Sequence, residues 1–267
     1  MRDFTLDIYR RLLETLKKAG YESMTMEQYA INGGSGQTDK IVVLRHDVDL
    51  KADHSLETAK IEHSLGMCAT YYFRVIPQSN KPHIITEIAR LGHEIGYHYE
   101  DMSLCNGNTE NAIHHFEEHL NYFRQFYDVK TICMHGAPTS KYDGRDLWKK
   151  YDYHNYGIIC EPYFDIDYSK TFYLTDTGRQ WDGWKVSVRD KIPVYQDQWI
   201  AKGLVYHGTK DIIYAIENGN FPQRLIITSH PQRWTNKFFE WLTEYCVQNT
   251  KNIIKRILIA KRGKKQG

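Results

Sequence analysis

The stretch RHDVDL at residues 45–50 places an arginine, a histidine and two aspartates directly after the apolar run at 41–44. Side chains two residues apart on a strand lie on the same face, so Asp47 and Asp49 are expected to point together. Two adjacent carboxylates repel each other unless a metal cation, an arginine or a shared proton neutralises them. This spacing therefore indicates a chemical site at the end of a buried strand.

Polar side chains also follow most of the other predicted strands. These side chains are Arg74, His98, Glu100, Asp101, His135, Asp176 and His230. Because the active sites of parallel α/β proteins lie at the carboxyl ends of their strands, we expect these side chains to lie close together. Mixed carboxylate and imidazole ligands suit zinc, iron, manganese, cobalt or nickel better than calcium or magnesium. The pattern thus predicts a divalent metal site, with zinc as the first choice.

Purely structural roles compete with this interpretation at single positions. An aspartate that follows a strand is often a helix N-cap, so Asp49 or Asp53 would cap the next helix. His114, His115 and His119 look like a metal cluster, but they lie on a helix rich in Asn and Glu. We interpret these three histidines as part of a solvated helix face.

Strand-like and helix-like segments alternate along the chain about seven times. The predicted strands are 40–49, 69–75, 93–100, 131–138, 156–163, 172–178 and 224–234. The predicted helices are 3–19, 55–66, 81–93, 108–126, 145–153, 209–220 and 235–259. Alternation of this kind predicts a single α/β domain, either a distorted (β/α) barrel with about seven parallel strands or a doubly wound open sheet. We favour the barrel, over residues 40–250, preceded by a helix and loop at 1–39.

Charge is unevenly distributed over the 267 residues, although the net charge is only +2. The last 18 residues hold seven Lys or Arg and no acid, which leaves 28 basic and 33 acidic residues elsewhere. This basic tail, assigned to 251–267, carries Ile253, Ile254, Ile257 and Leu258 on one helical face. It would serve either as a peripheral membrane contact or as a last packing helix with a frayed end. The mildly acidic body predicts no nucleic-acid partner.

Five scattered cysteines, without a CxxC pair, are interpreted as free thiols of a reducing compartment. They are Cys68, Cys105, Cys133, Cys160 and Cys246. The amino-terminal segment is a charged amphipathic helix rather than a signal peptide, and no apolar run reaches membrane-spanning length. The expected location is therefore the cytoplasm, with the inner membrane face as a peripheral option.

Four segments resemble, in order, the motifs of the polysaccharide deacetylase superfamily (carbohydrate esterase family 4). They are KIVVLRHDVD, GHEIGYHYED, MHGAP and LIITSHPQRW, between residues 40 and 234. RHDVD is closer to a divergent branch than to members with adjacent aspartates. The resemblance implies a distorted, seven-stranded (β/α) barrel and metal-dependent hydrolysis of an acetyl group on a sugar.

The resemblance also implies roles for individual residues. By position Asp47 would be the catalytic base, Asp49 and His98 metal ligands, and His230 the general acid. His135 stands where the family has an arginine that orients the base. The family's second metal-binding histidine is replaced by Met102, a poor ligand for such metals.

Three further assignments complete the expected site. Either Glu100 or His135 would replace the missing ligand, unless metal binding is weakened or lost; we assign Glu100 to the metal and His135 to catalysis. Arg45 or Arg74 would keep Asp47 ionised through a charge-assisted hydrogen bond. The residues expected to contact the sugar are Arg74, Tyr97, Tyr99 and Trp234.

The expected function is metal-dependent removal of an acetyl or related acyl group from an amide-bearing sugar in surface-glycan biosynthesis. One alternative keeps the barrel as a carbohydrate-binding protein without hydrolysis. Another is an enzyme that forms or rearranges amides on uronic sugars. The partner in each case is an acylated sugar or glycan, and the sequence leaves the oligomeric state open.

Overall fold

Short apolar runs form the strands of a parallel sheet in the computed structural model, which describes residues 2–137, 139–182, 187 and 189–263, with side chains to residue 253. The seven strands are β1 (Glu22–Met24), β2 (Ile41–Val48), β3 (Thr70–Phe73), β4 (Glu94–Tyr99), β5 (Ile132–Met134), β6 (Phe172–Thr175) and β7 (Arg224–Ser229). Every residue of β2, β3, β4 and β5 is buried, as expected for strands covered on both faces.

Ten α-helices accompany the strands in the described part of the chain. They are α1 (Leu6–Lys18), α2 (Met26–Ile31), α3 (Ala52–Ser64), α4 (Pro82–Arg90), α5 (Asp101–Leu104), α6 (Thr109–Phe123), α7 (Pro162–Asp165), α8 (Pro193–Ala201), α9 (Thr209–Glu217) and α10 (Phe238–Gly263). Short 3-10 segments lie at Gly144–Lys149, Tyr153–Tyr156 and Pro231–Arg233. Side chains of Thr5, Thr25 and Asn108 cap the first turns of α1, α2 and α6 by accepting backbone N–H groups.

The sheet has the order β5-β4-β3-β2-β7-β6, and all its ladders are parallel. β7 occupies one edge of β2, so β1 and β3 share the other edge, β1 beside residues 41–43 and β3 beside 45–48. The sheet curls into half a barrel. The predicted single α/β domain with a parallel sheet is confirmed, and among the described residues no ladder joins β5 to β6 to close a full barrel.

Several predicted elements differ from the observed ones. The segment 156–163 contributes only an isolated bridge, Thr131 to Cys160, because Pro162 starts a short helix immediately after it. β1 is three residues long and largely polar, which left no apolar pattern to detect. α3 begins at Ala52 rather than Ser55, and Lys51 in a left-handed conformation precedes it, so neither Asp49 nor Asp53 is its N-cap.

The ends of the chain belong to the same structure as the sheet. β1, which lies in the predicted 1–39 segment, pairs with β2, and α1 buries Ile8, Leu12 and Leu16. α10 runs through residue 251, the predicted start of the tail. Side chains beyond Ile253 lie outside the described residues, so the membrane contact of 251–267 stays a prediction. In the described part no helix is both long and apolar enough to span a membrane, and the five cysteines are free, as predicted.

Gly96, in the middle of β4, is required by close packing against β3. Tyr72 lies opposite Gly96 in the β3–β4 ladder and donates or accepts a hydrogen bond with Thr131. A Cβ at position 96 would lie 2.3 Å from the Tyr72 ring and 2.9 Å from the Thr131 carbonyl oxygen. The Tyr72 ring therefore fills the space that any other residue would need.

Replacing Gly96 with alanine is expected to destabilise the protein by about 3 kcal/mol, the upper range for overpacking a core. Chemical denaturation of both proteins measures this difference. Gly136→Ala is the matched control, because a Cβ there would meet no described atom within 4 Å and this glycine does not have a positive φ. Equal stability of the Gly96 variant and the wild type would contradict the close packing of Tyr72 on β4.

Candidate active site

Side chains from the carboxyl ends of β2, β4, β5 and β7 line one small cavity of about 100 Å³. Five predicted site residues lie on its wall, namely Asp47, Asp49, His98, His135 and His230. They come from segments up to 183 positions apart in the chain, but their strands lie within the continuous stretch β5-β4-β3-β2-β7 of the sheet. The expected convergence at one edge of the sheet is therefore present.

Arg45 holds the carboxylate of Asp47 from the same strand. Its Nε donates to Oδ1 at 2.8 Å and its Nη2 donates to Oδ2 at 2.6 Å. Arg45 is fully buried, and its guanidinium lies over the rings of Tyr72 and Tyr163 at 5.9 and 5.4 Å. Burial opposes its charge, but Asp47 outweighs this and raises the pKa of Arg45 well above its usual value. Of the two arginines predicted for this role, the structure places Arg45 there.

Asp49 faces three imidazole nitrogens without a close hydrogen bond to any of them. Its Oδ1 lies 3.4 Å from His135 Nε2 and 3.6 Å from His98 Nε2, and its Oδ2 lies 3.8 Å from His230 Nε2. Oδ1 is buried and has no hydrogen-bond partner among the described residues. Burial raises the pKa of Asp49, but His135, His98 and His230 outweigh it and hold the pKa well below its usual value. A cation among these atoms would satisfy the ionised oxygen.

Hydrogen bonds at Nδ1 of His98 and of His135 direct the Nε2 atoms of both rings towards Asp49. His98 Nδ1 lies 2.9 Å from the carbonyl oxygen of Cys133, which can only accept. His135 Nδ1 lies 2.9 Å from Glu100 Oε2. Both Nδ1 atoms therefore donate, which leaves Nε2 of each ring as the nitrogen that a metal would take.

Glu100 does not occupy the metal-ligand position expected for it. Its two oxygens accept hydrogen bonds from Arg74 Nε and Nη2, at 2.7 and 2.8 Å, and Oε2 also accepts from His135. Burial raises the pKa of Glu100, but His135 and Arg74 outweigh burial and hold the pKa below its usual value. Glu100 is therefore an anion whose charge is already balanced by its partners. Glu100 orients His135, so that His135 rather than Glu100 faces Asp49.

A second set of potential ligand atoms in this cavity belongs to Asp47, His98 and Cys133, which lie within 4.8 Å of one another. Asp49, His98 and His135 offer an alternative set, because both Nε2 atoms lie within 3.6 Å of an Asp49 oxygen that accepts no hydrogen bond. Both oxygens of Asp47 already accept from Arg45. Burial raises the pKa of the Cys133 thiol well above its usual value, although Arg45 opposes this.

His230 is held by a buried carboxylate on the opposite side of the cavity. Its Nδ1 lies 2.7 Å from Asp176 Oδ1, and Asp176 also accepts from Arg233 Nη1 and Trp234 Nε1. Burial and Arg233 lower the pKa of His230, but Asp176 and Asp49 outweigh them and leave it above its usual value. His230 is thus more easily protonated than a free imidazole, and its Nε2 is directed at Asp49.

The three aromatic residues expected to stack on a sugar are in the core instead. Tyr97 and Tyr99 alternate with His98, so they point to the opposite face of β4, under the helices. Their hydroxyls donate to Asp101 and Glu161 at 2.8 and 3.2 Å. Trp234 is buried and donates to Asp176 at 2.9 Å. All three side chains are buried and absent from the cavity lining, which argues against the predicted sugar contacts.

The cavity also contains polar residues that the sequence did not indicate. Asp190 accepts from Thr175 Oγ1 at 2.8 Å and from Tyr163 at 3.1 Å. Burial raises its pKa, but Arg45 and His230 lower it to about 2. Arg189 donates to the backbone oxygens of Gly136 and Ala137 at 2.8 and 2.7 Å and so holds the loop after β5. Neither residue follows an apolar run, so no strand-end signal marked it.

The histidines of α6 differ from the solvated face expected of them. His114 is exposed, but His115 and His119 are partly buried and lie beside Asp101 at the start of α5. The His115 and His119 rings are 4.0 Å apart between centroids. Asp101, His115 and His119 form a second group whose potential ligand atoms lie within 4.8 Å of one another.

No family model matches the chain, and neither does any curated protein or solved structure at the threshold of the comparison. The fold and the site therefore define the class of protein on their own. It is an α/β protein with a cluster of carboxylates and imidazoles at the carboxyl ends of a curled parallel sheet.

Proposed function

We propose that the chain is a metal-dependent hydrolase that removes an acetyl or similar acyl group from an amide-bearing sugar, on the distorted (β/α) barrel of the polysaccharide deacetylase superfamily. One observation carries this proposal. The unpartnered Oδ1 of Asp49 lies between the Nε2 atoms of His98 and His135, in a cavity that also holds an Arg45–Asp47 pair and an Asp176–His230 pair. A ligand set, a base and an acid thus share one small space.

Asp49, His98 and His135 would hold the cation, and His135 compensates for the absent histidine at Met102. The donor set of one carboxylate and two imidazoles fits zinc, with iron, manganese, cobalt and nickel as alternatives. When bound, such a cation polarises an acyl carbonyl and lowers the pKa of water.

Asp47 and His230 are placed for the two proton transfers of amide hydrolysis. Asp47 accepts a proton as water attacks the acyl carbon, and the bidentate contact with Arg45 fixes the orientation of the Asp47 carboxylate for that step. The C–N bond then breaks, its electrons pass to nitrogen, and His230 donates the proton that makes the amine a leaving group. Asp176 keeps His230 protonated and oriented.

The size of the cavity suits the acyl group rather than the whole sugar. A wider groove of about 410 Å³ adjoins it, and His135 lines both. Arg74, Lys141 and Tyr142 line this groove, and the side chain of Arg74 is partly exposed. We place the sugar in this groove, where cations and an aromatic ring suit an anionic sugar such as a nucleotide sugar or a lipid-linked glycan used in surface-glycan synthesis.

The test is release of acetate from N-acetylated sugars, as free monosaccharides, nucleotide sugars and oligosaccharides, by protein loaded with Zn²⁺ or Co²⁺. We expect acetate from at least one substrate, loss of activity after chelation, and recovery when the metal is restored. Sugar binding that is unaffected by chelation, with no acetate from any substrate, would instead support a carbohydrate-binding protein. A new amide in place of released acetate would support the amide-forming alternative.

A further inference from the structure

We propose that Asp101, His115 and His119 form a second binding site for a divalent transition metal, separate from the cavity at Asp49. The site lies where the start of α5 meets the middle of α6. It shares no residue with the site of the proposed function, and it does not depend on catalysis.

The two histidines have the spacing that brings side chains together on a helix. His115 and His119 are four residues apart on α6, so they lie one above the other on the same face. Asp101 approaches that face from α5 and brings a carboxylate within 4.8 Å of potential ligand atoms on both rings. Two imidazoles and a carboxylate form a ligand set that selects zinc, cobalt, nickel or copper over calcium or magnesium.

Asp101 provides an independent indication that a ligand belongs here. The residue is fully buried. Its Oδ1 accepts from Tyr97 at 2.8 Å and from His115 Nδ1 at 2.5 Å. Its Oδ2 is buried and has no hydrogen-bond partner among the described residues. Buried carboxylate oxygens without partners are rare because their desolvation is uncompensated, and a bound cation would compensate it.

The rings are prepared for coordination and accessible from outside. His119 Nδ1 lies 2.7 Å from the carbonyl oxygen of His115, which can only accept, so the proton is on Nδ1 and the Nε2 lone pair is available. His115 Nδ1 faces Asp101 Oδ1 at 2.5 Å, so it is the nitrogen that a cation shared with Asp101 would take in place of the proton. The His115 side chain is 28% exposed, so a metal ion can reach it.

A metal here would stabilise the segment that positions His135. Asp101 directly follows Glu100, which accepts from both Arg74 and His135. Linking Asp101 to α6 would limit movement of the turn that carries Glu100. The expected role is therefore structural, as in sites whose metal joins two helices by their side chains.

The experiment is equilibrium dialysis of the untagged full chain against Zn²⁺, followed by metal analysis. We expect two zinc ions per wild-type chain, one per chain for His119→Ala and for His115→Ala, and two for the matched control His114→Ala, whose exposed side chain lies on the same helix outside the cluster. His98→Ala should hold one ion and the double variant H98A/H119A none.

Thermal unfolding with and without Zn²⁺ separates metal binding from misfolding. Zinc should raise the melting temperature of His98→Ala and leave that of H98A/H119A unchanged. Wild-type zinc content in both the His115 and His119 variants would overturn the second site. A single wild-type ion that His98→Ala removes would also overturn it, while supporting the site at Asp49. Full zinc content in His98→Ala, with a loss only in the His119 variant, would leave the second site standing and contradict the first.

Discussion

Replacing Asp49 with alanine is expected to remove the metal from the cavity and to lower kcat/KM for amide hydrolysis by about 10³-fold or more, which corresponds to several kcal/mol of lost transition-state stabilisation. The reason is geometric. Among the described cavity residues, Asp49 is the only carboxylate with an oxygen that accepts no hydrogen bond. This oxygen faces the Nε2 atoms of His98 and His135. Its removal leaves two neutral ligands, which hold a divalent ion weakly in competition with water.

Zinc content per chain and steady-state rates measure this result together. Asp53→Ala is the matched control, because Asp53 lies four residues further along and is an exposed carboxylate paired with Lys81. The control should keep both metal and rate. Unfolding in the presence of a chelator checks the fold, since the Asp49 Oδ1 has no hydrogen bond to lose. An Asp49 variant with wild-type zinc content and rate would remove the metal centre described above.

Replacing Asp47 with asparagine is expected to lower kcat by about 10²- to 10⁴-fold, the usual loss when a general base is removed, while the zinc content stays unchanged. Asp47 contacts Arg45 through both oxygens and so contributes charge and basicity rather than coordination. An amide of the same shape cannot accept the proton of the attacking water. Metal content should therefore distinguish the variants of these two aspartates, which are only two residues apart in the chain. Only the Asp49 variant should lose metal.

Metal analysis of the purified Asp47 variant, alongside rates at saturating substrate, makes that comparison. A variant that loses zinc in parallel with activity would place Asp47 among the ligands, with His98 and Cys133. A variant with wild-type kcat would show that another group accepts the proton. Far-ultraviolet circular dichroism monitors the fold, because asparagine leaves one Arg45 donor facing an amide nitrogen.

The strand-end residues show what could be predicted without coordinates. Asp47, Asp49, His98, His135 and His230 each follow an apolar run, and all five reach the same cavity. The pairing of Arg45 with Asp47 was one of two predicted options, and both residues lie on one strand, where a spacing of two places their side chains on one face. Local periodicity was sufficient for these residues.

The same periodicity governs the aromatic residues of β4. Tyr97 and Tyr99 must face away from His98 on any straight strand, so the sequence already argued against a sugar contact. Trp234 differs, because it follows β7 in irregular backbone where no period applies. Its burial depends on Asp176, which lies 58 positions earlier in the chain.

By itself the sequence determined six of the seven strands, the parallel α/β class and the polar residues that gather at the strand ends, since each depends on residues within one element. Only the tertiary structure decided that His135 rather than Glu100 faces Asp49, and that Asp101 joins His115 and His119. The physical reason is that a side chain acquires its role from partners within about 4 Å, a distance over which hydrogen bonds and ion pairs act. Glu100 comes within hydrogen-bond distance of Arg74, and Asp101 comes within 4.8 Å of His119, only after the strands and helices have packed.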